Sequence, residues 1–193
     1  MPTCLPVRAA KGIVHVWHAD LAVAGDGLEN LLCTQELARA ARIVPDRRRI
    51  RWARSRGILR ALLGRYLDCD PRTLRFVPGP HGKPALHREE GGLTTDLRFN
   101  LSHSGEILLL AVTAGREVGV DVERTRPRYT PELLRAWTLR EAAVKCLGTG
   151  LTCAPANPAA NLWSTELPAR PAATAAMAVE GTRPELAFEE WRA

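Results

Sequence analysis

The sequence predicts an α+β protein on three observations. A β-branched and aromatic run lies near the start, two helical patterns follow one another between Thr34 and Leu67, and a second group of strand-like runs brackets one further helix. With 193 residues, 46% hydrophobic and 25% charged, the chain has an ordinary globular composition, long enough for one sizeable core or two small ones.

From Gly12, the run Ile13-Val-His-Val-Trp-His18 suits an early strand. His15 and His18 fall on opposite faces by alternation, which argues against a shared metal and makes both structural. Two helices follow, parted at Pro45, with Thr34-Gln-Glu-Leu as the cap of the first and Asp46 as the start of the second. In the second, Ile58, Leu59, Leu62, Leu63, Tyr66 and Leu67 repeat at helical spacing and mark a core-facing stripe. Its first half carries Arg47, Arg48, Arg49, Arg51, Arg54, Arg56 and Arg60. The favoured reading of these is a solvated face. A nucleic-acid surface comes second, and a phosphate cradle is the sharper alternative, since guanidinium forks match phosphate oxygens.

Asp70-Pro71 leads to a short strand, Leu74 to Val77, and Pro78, Gly79, Pro80, Gly82 and Pro84 form a loop around Lys83. After a polar loop from Glu89 to Thr95 come strands at Leu97 to Leu101, Ile107 to Val112 and Val118 to Val122. Helix returns from Pro131 to Leu147, ended by Gly148 and Gly150. Pro155 and Pro158 fill a loop before strands at Leu162 to Leu167, Ala175 to Val179 and Leu186 to Phe188. This order suits two α+β halves, residues 1–114 and 115–193, joined near Ala114-Gly115-Arg116, although no repeat is visible at the residue level.

A formal net charge of +6 favours an anionic partner: a nucleotide, a nucleic acid, an acidic protein or an anionic membrane surface. Cys4, Cys33, Cys69, Cys146 and Cys153 are odd in number and lack zinc-knuckle or redox spacing, so reduced and mostly buried thiols are expected. No run approaches the roughly 18 apolar residues of a membrane span. The start lacks a secretory apolar stretch, so the expected location is the cytoplasm, with no membrane partner.

The chemistry concentrates in three places. In Val118-Gly-Val-Asp-Val-Glu123, the period of two puts the valines on one face and Gly119, Asp121 and Glu123 on the other. Side-by-side carboxylates repel unless solvent or a cation lies between them, and oxygen-only ligands favour magnesium or calcium over zinc. Gly119 is expected to leave room for a bulky ligand beside the acids. On the later helix, Glu141 and Lys145 are four apart and share a face, as an ordinary ion pair also would. Asn100-Leu-Ser-His-Ser-Gly105 ends a strand in a polar turn; neighbours on a strand point apart, so Ser102 and His103 suit phosphate or ribose binding better than a nucleophile and base pair.

Taken in order, His81-Gly-Lys-Pro, Phe99-Asn-Leu-Ser-His-Ser, Val118-Gly-Val-Asp-Val-Glu and Trp137-Thr-Leu-Arg-Glu-Ala-Ala-Val-Lys-Cys-Leu-Gly resemble the signature blocks of the Sfp-type 4′-phosphopantetheinyl transferases. The resemblance implies two similar subdomains related by a pseudo-twofold axis, with coenzyme A in the cleft between them. It implies that Asp121, Glu123 and Glu141 hold Mg²⁺, that Glu141 helps deprotonate a serine of an acyl or peptidyl carrier protein, and that Lys145 neutralises charge near the departing phosphate. Lys83, Ser102 and His103 match positions that grip the 3′-phosphate end of coenzyme A; Arg47 matches a cofactor-binding arginine, and Arg51 and Arg56 are weaker candidates. The product would be holo-carrier and 3′,5′-ADP, made by a monomer with no nucleic-acid partner. A homologue that binds coenzyme A or a carrier without transfer is the alternative. Thirteen residues, Arg124 to Ala136, separate the acidic strand from Trp137, fewer than in most of the family, and Arg140 stands where a lysine is usual.

Overall fold

A computed structural model describes residues 9–79, 82–87, 96–150 and 161–192. His81, Cys4, Cys153 and the loops expected at Glu89 to Thr95 and around Pro155 and Pro158 lie outside the described residues.

The first strand, β1 (Ile13–Asp20), is followed by α1 (Thr34–Ala41) and α2 (Asp46–Leu67). Then come β2 (Phe76–Pro78), β3 (Pro84–Leu86), β4 (Leu97–Ser104), β5 (Ile107–Ala114), β6 (Val118–Arg124), α3 (Pro131–Leu147), β7 (Leu162–Leu167), β8 (Ala173–Glu180) and β9 (Glu185–Glu190). One sheet has the order β4-β5-β1-β9, a second β6-β8-β7, and β2 and β3 form a small hairpin. β1 runs antiparallel to β5 and parallel to β9. The last strand therefore crosses back to the sheet of the first half, although by sequence it falls within residues 115–193.

Strand alternation sets the layers. Trp17, Ala19 and Leu21 of and after β1 pack with Ile58, Leu59, Leu62 and Leu63 of α2. Val14 and Val16 face the other way, with Leu109 and Ala111 of β5, onto Val118, Val120 and Val122 of β6 and Met177 and Val179 of β8. On the far side of the second sheet, Ala142, Ala143 and Cys146 of α3 pack on Ala176 and Ala178. The result is helix, sheet, sheet, helix, with one long helix on each outer face. His15 and His18 do fall on opposite faces, His15 edge-on to Tyr66 and His18 near Phe188.

Small residues bring α3 close. A Cβ on Gly119 would stand 2.1 Å from the Ala142 carbonyl oxygen and 2.3 Å from the Cys146 amide nitrogen. The space beside the acids is thus filled by α3 backbone, which corrects the expectation that Gly119 makes room for a ligand. Just beyond this contact, at the C-terminal end of α3, Gly148 adopts φ 67° and its N–H returns to the Val144 carbonyl, closing the helix.

Three local expectations shift. The cap of α1 is Cys33, whose N–H donates to Glu36 Oε2 at 3.1 Å, so Thr34 is the first helical residue. The strand expected at Leu74 to Val77 starts at Phe76 and pairs with β3, a strand hidden by the proline at its start. The solvated face expected of α2 holds for the exposed Arg47 to Arg49 but ends before Arg60, which is 1% exposed. Among the described cysteines, Cys146 is buried and Cys33 and Cys69 are half-buried, all free thiols.

Candidate active site

β6 presents its acids on the face toward α3, and α3 carries Glu141 and Lys145 on the face toward β6, so two short-range periodicities meet at one point. Asp121 is 3% exposed. Its Oδ1 accepts from Lys145 Nζ at 2.5 Å and from Ser102 Oγ at 2.9 Å, and Lys145 Nζ also donates to Ser102 Oγ at 3.0 Å. Its Oδ2 is buried without a donor, and so is Oε1 of Glu141. Glu123 Oε2 accepts from Ser104 Oγ at 2.9 Å.

Burial pushes the Glu141 carboxyl above the usual carboxylate range; Lys145 opposes that shift, and the charges of Asp121 and Glu123 add to it. An acid raised partly by two other acids, with two buried carboxylate oxygens lacking donors, is an environment that a hard divalent cation would relieve. The donor set fits magnesium or calcium in chemistry. Among the described residues no three of His, Cys, Asp or Glu stand together to hold a metal ion, and the Lys145 ammonium is the cation at Asp121.

Beside this cluster opens a cleft of about 1410 Å³, reached by Ser102, His103 and Lys145 from one side. Arg39, Trp52, Arg56 and Arg60 line it from the helices, and Arg72 and Arg75 from the segment before β2. Among the described residues Glu36 is the only carboxylate on its wall, and Arg56 and Arg60 already hold it. Loss of water, followed by the charges of Lys145 and Arg51, keeps the His103 imidazole below the ordinary histidine range, so it is neutral near pH 7.

Ser102, Asp121 and Lys145 are thus hydrogen-bonded to one another, Asp121 and Glu123 lie near enough for their charges to act on Glu141, and His103 is on the adjoining wall. Lys83 and Arg47 are elsewhere. Lys83 Nζ donates to Glu117 Oε2 at 2.7 Å and to the carbonyls of Val118 and Cys146, in a smaller cavity of about 520 Å³. Arg47, with 74% of its side chain exposed, donates to Glu106, which also receives Arg51. Arg56 lies on the cleft and stacks over Phe76 at 4.7 Å. Sequence reasoning passed over Arg39, Trp52 and Arg75, which come from segments distant in sequence, and also Asn100 and Ser104. The period of two along β4 could have found that last pair, since it places Asn100, Ser102 and Ser104 on one face.

Fold and site together define an α+β protein with a cationic cleft leading to a cluster of acids and a lysine, suited to an anionic ligand. No protein-family profile matches the chain. It is 36% identical over 169 residues to the 4′-phosphopantetheinyl transferase HetI of Nostoc sp., a match covering 72% of this chain and 70% of that protein. It is 30% identical over 152 residues to the slr0495 protein of Synechocystis sp., covering 65% of this chain and 61% of that one. Against the 4′-phosphopantetheinyl transferase AcpT of Escherichia coli O157:H7 it is 42% identical over 81 residues, 42% of this chain and 35% of that protein. The chain belongs to the 4′-phosphopantetheinyl transferase family.

Proposed function

We propose that this transferase moves the 4′-phosphopantetheine arm of coenzyme A onto a serine of an apo acyl or peptidyl carrier protein, with Mg²⁺, and releases 3′,5′-ADP. The observation that carries the reading is the pair of buried donorless oxygens, Asp121 Oδ2 and Glu141 Oε1, beside the arginine-lined cleft. Coenzyme A bears a pyrophosphate and a 3′-phosphate, anions that guanidinium groups recognise. Mg²⁺ held by Asp121, Glu123 and Glu141 would supply Lewis-acid stabilisation of charge on the pyrophosphate.

The chain's own groups do the rest. Glu141, its affinity for a proton raised by burial, accepts the proton of the carrier serine directly or through water. Lys145, on the cleft wall, neutralises charge at the departing phosphate. His103, neutral in the free protein, offers a hydrogen bond to the 3′-phosphate end. Ser102, Lys83 and Arg47 have their polar atoms engaged within the protein, so each gives up or shares a bond to reach a phosphate. All these groups lie on one chain, which supports a monomer. Among the described residues no helix is long and apolar enough to cross a membrane, and the cytoplasm is the proposed location.

Incubation with Mg²⁺, coenzyme A and an apo carrier is expected to raise the carrier mass by one phosphopantetheine, and Asp121→Ala to abolish the change. No mass increase across acyl, peptidyl and aryl carriers would overturn the reading. Mg²⁺-dependent coenzyme A binding without turnover would leave the non-catalytic alternative.

A further inference from the structure

We propose that Ser104 is a positioning residue whose hydroxyl, reaching across from the first sheet, aims the Glu123 carboxylate at the cation site. The inference rests on reading Glu123 as a cation ligand and goes beyond it by naming what orients that ligand.

β4 and β6 belong to different sheets and share no backbone ladder with each other. They are joined by side chains of β4 that accept from backbone amides of β6 at a constant offset of twenty residues. Val120 N donates to Asn100 Oδ1 at 2.9 Å, Val122 N to Ser102 Oγ at 3.4 Å and Arg124 N to Ser104 Oγ at 3.2 Å. The three β4 residues are buried, so these contacts replace water on the amides of β6.

The two serines have a second task that the asparagine lacks. A hydroxyl has one proton and two lone pairs. With a lone pair of each serine taken by a backbone N–H, the proton turns to the acid one position earlier, Ser102 to Asp121 Oδ1 and Ser104 to Glu123 Oε2, both at 2.9 Å. Asp121 has Lys145 as an additional donor. Glu123 has Ser104 as its one hydrogen-bond donor among the described residues, so the direction of its carboxylate depends on that hydroxyl. Oε1 is left without a hydrogen bond there and is the atom presented for ligation.

The test is Mn²⁺ binding to the full chain, read by electron paramagnetic resonance, with thermal melting by circular dichroism to establish folding. Ser104→Ala is expected to weaken Mn²⁺ binding roughly tenfold or more, as loss of a partner behind a metal ligand does, while Asn100→Ala stays within about threefold of the unmodified protein because its rung touches no acid. Ser104→Thr, which keeps the hydroxyl, is expected to restore binding. If the added methyl prevents folding, the contrast between the two alanine variants decides. Binding unchanged in Ser104→Ala, or weakened equally in Asn100→Ala, overturns the proposal and leaves the cation reading standing. An unmodified protein that binds no Mn²⁺ overturns both.

Discussion

Glu36 meets two guanidinium groups at once. Arg60 Nε donates to Oε2 at 2.6 Å, and Arg56 donates to Oε1 through Nη2 at 2.8 Å and Nε at 3.0 Å. Arg60 also donates from Nη1 to the carbonyls of Pro71 and Leu74, so its buried guanidinium meets three acceptors. Burial alone would raise the Glu36 carboxyl. The Cys33 amide and the two arginines outweigh it and hold the pKa below its ordinary value of 4.5. Glu36→Ala strands a buried guanidinium and should cost about 3–5 kcal/mol at pH 7, as removal of one partner of a buried pair does. The sign with pH follows from the depressed value. Stability contributed by Glu36 is present in full above the unfolded carboxyl pKa and is lost as pH falls through the lower folded one. Urea melts of the two proteins should therefore differ most near neutrality and converge in acid. None of this was legible in the arginine run, because helical spacing says which residues share a face but not that a capping glutamate from α1 stands over that face.

At the scale of elements, α3 is the part that must be placed well, since it brings both Glu141 and Lys145 to the β6 acids. Its ends were legible, Pro131 and Gly148 being local start and stop signals. Its distance from the sheet was not, because that depends on a missing side chain across the interface. Gly119→Ala puts a methyl carbon against two α3 backbone atoms, at 2.1 and 2.3 Å, and backbone cannot rotate away. The helix has to shift outward. Overpacking of this kind costs about 1–3 kcal/mol. A displacement of about 1 Å at a reacting group lowers turnover roughly a hundredfold. Gly119→Ala is thus expected to melt at lower temperature and to lose transfer activity even where it remains folded, which a paired melt and single-turnover assay will show. The same local logic explains what sequence reading missed nearby: β3 is three residues beginning at Pro84, too short for a period to register, and the return of β9 to β1 is a pairing between the two ends of the chain.

For the whole molecule, the α+β class, the shared face of Asp121 and Glu123 and the shared face of Glu141 and Lys145 followed from alternation and helical spacing, whereas the cleft did not, because its wall gathers residues from three helices, the hairpin and β4. That assembly makes a prediction from charge. The chain carries a net +6, and most of the cleft's cations are already committed: Arg56 and Arg60 to Glu36, Arg72 to Asp70, Lys145 to Asp121. Arg75 lines the cleft, and its guanidinium has no hydrogen-bond or ion-pair partner among the described residues, so it can meet a phosphate without giving up such a bond. Arg75→Gln should weaken coenzyme A binding about tenfold at low salt, equivalent to about 1.4 kcal/mol. Arg72→Gln, which removes a guanidinium already neutralised by Asp70, should change it far less. Screening gives the second reading: the Debye length shrinks from about 30 Å at 0.01 M salt to about 8 Å at 0.15 M, so the advantage of the unmodified protein over Arg75→Gln should narrow across that range. Calorimetric titrations at the two salt concentrations test both parts. Equal loss in the two variants, or a gap that does not depend on salt, would mean that the cleft's field comes from its paired arginines and that Arg75 serves only to shape the wall.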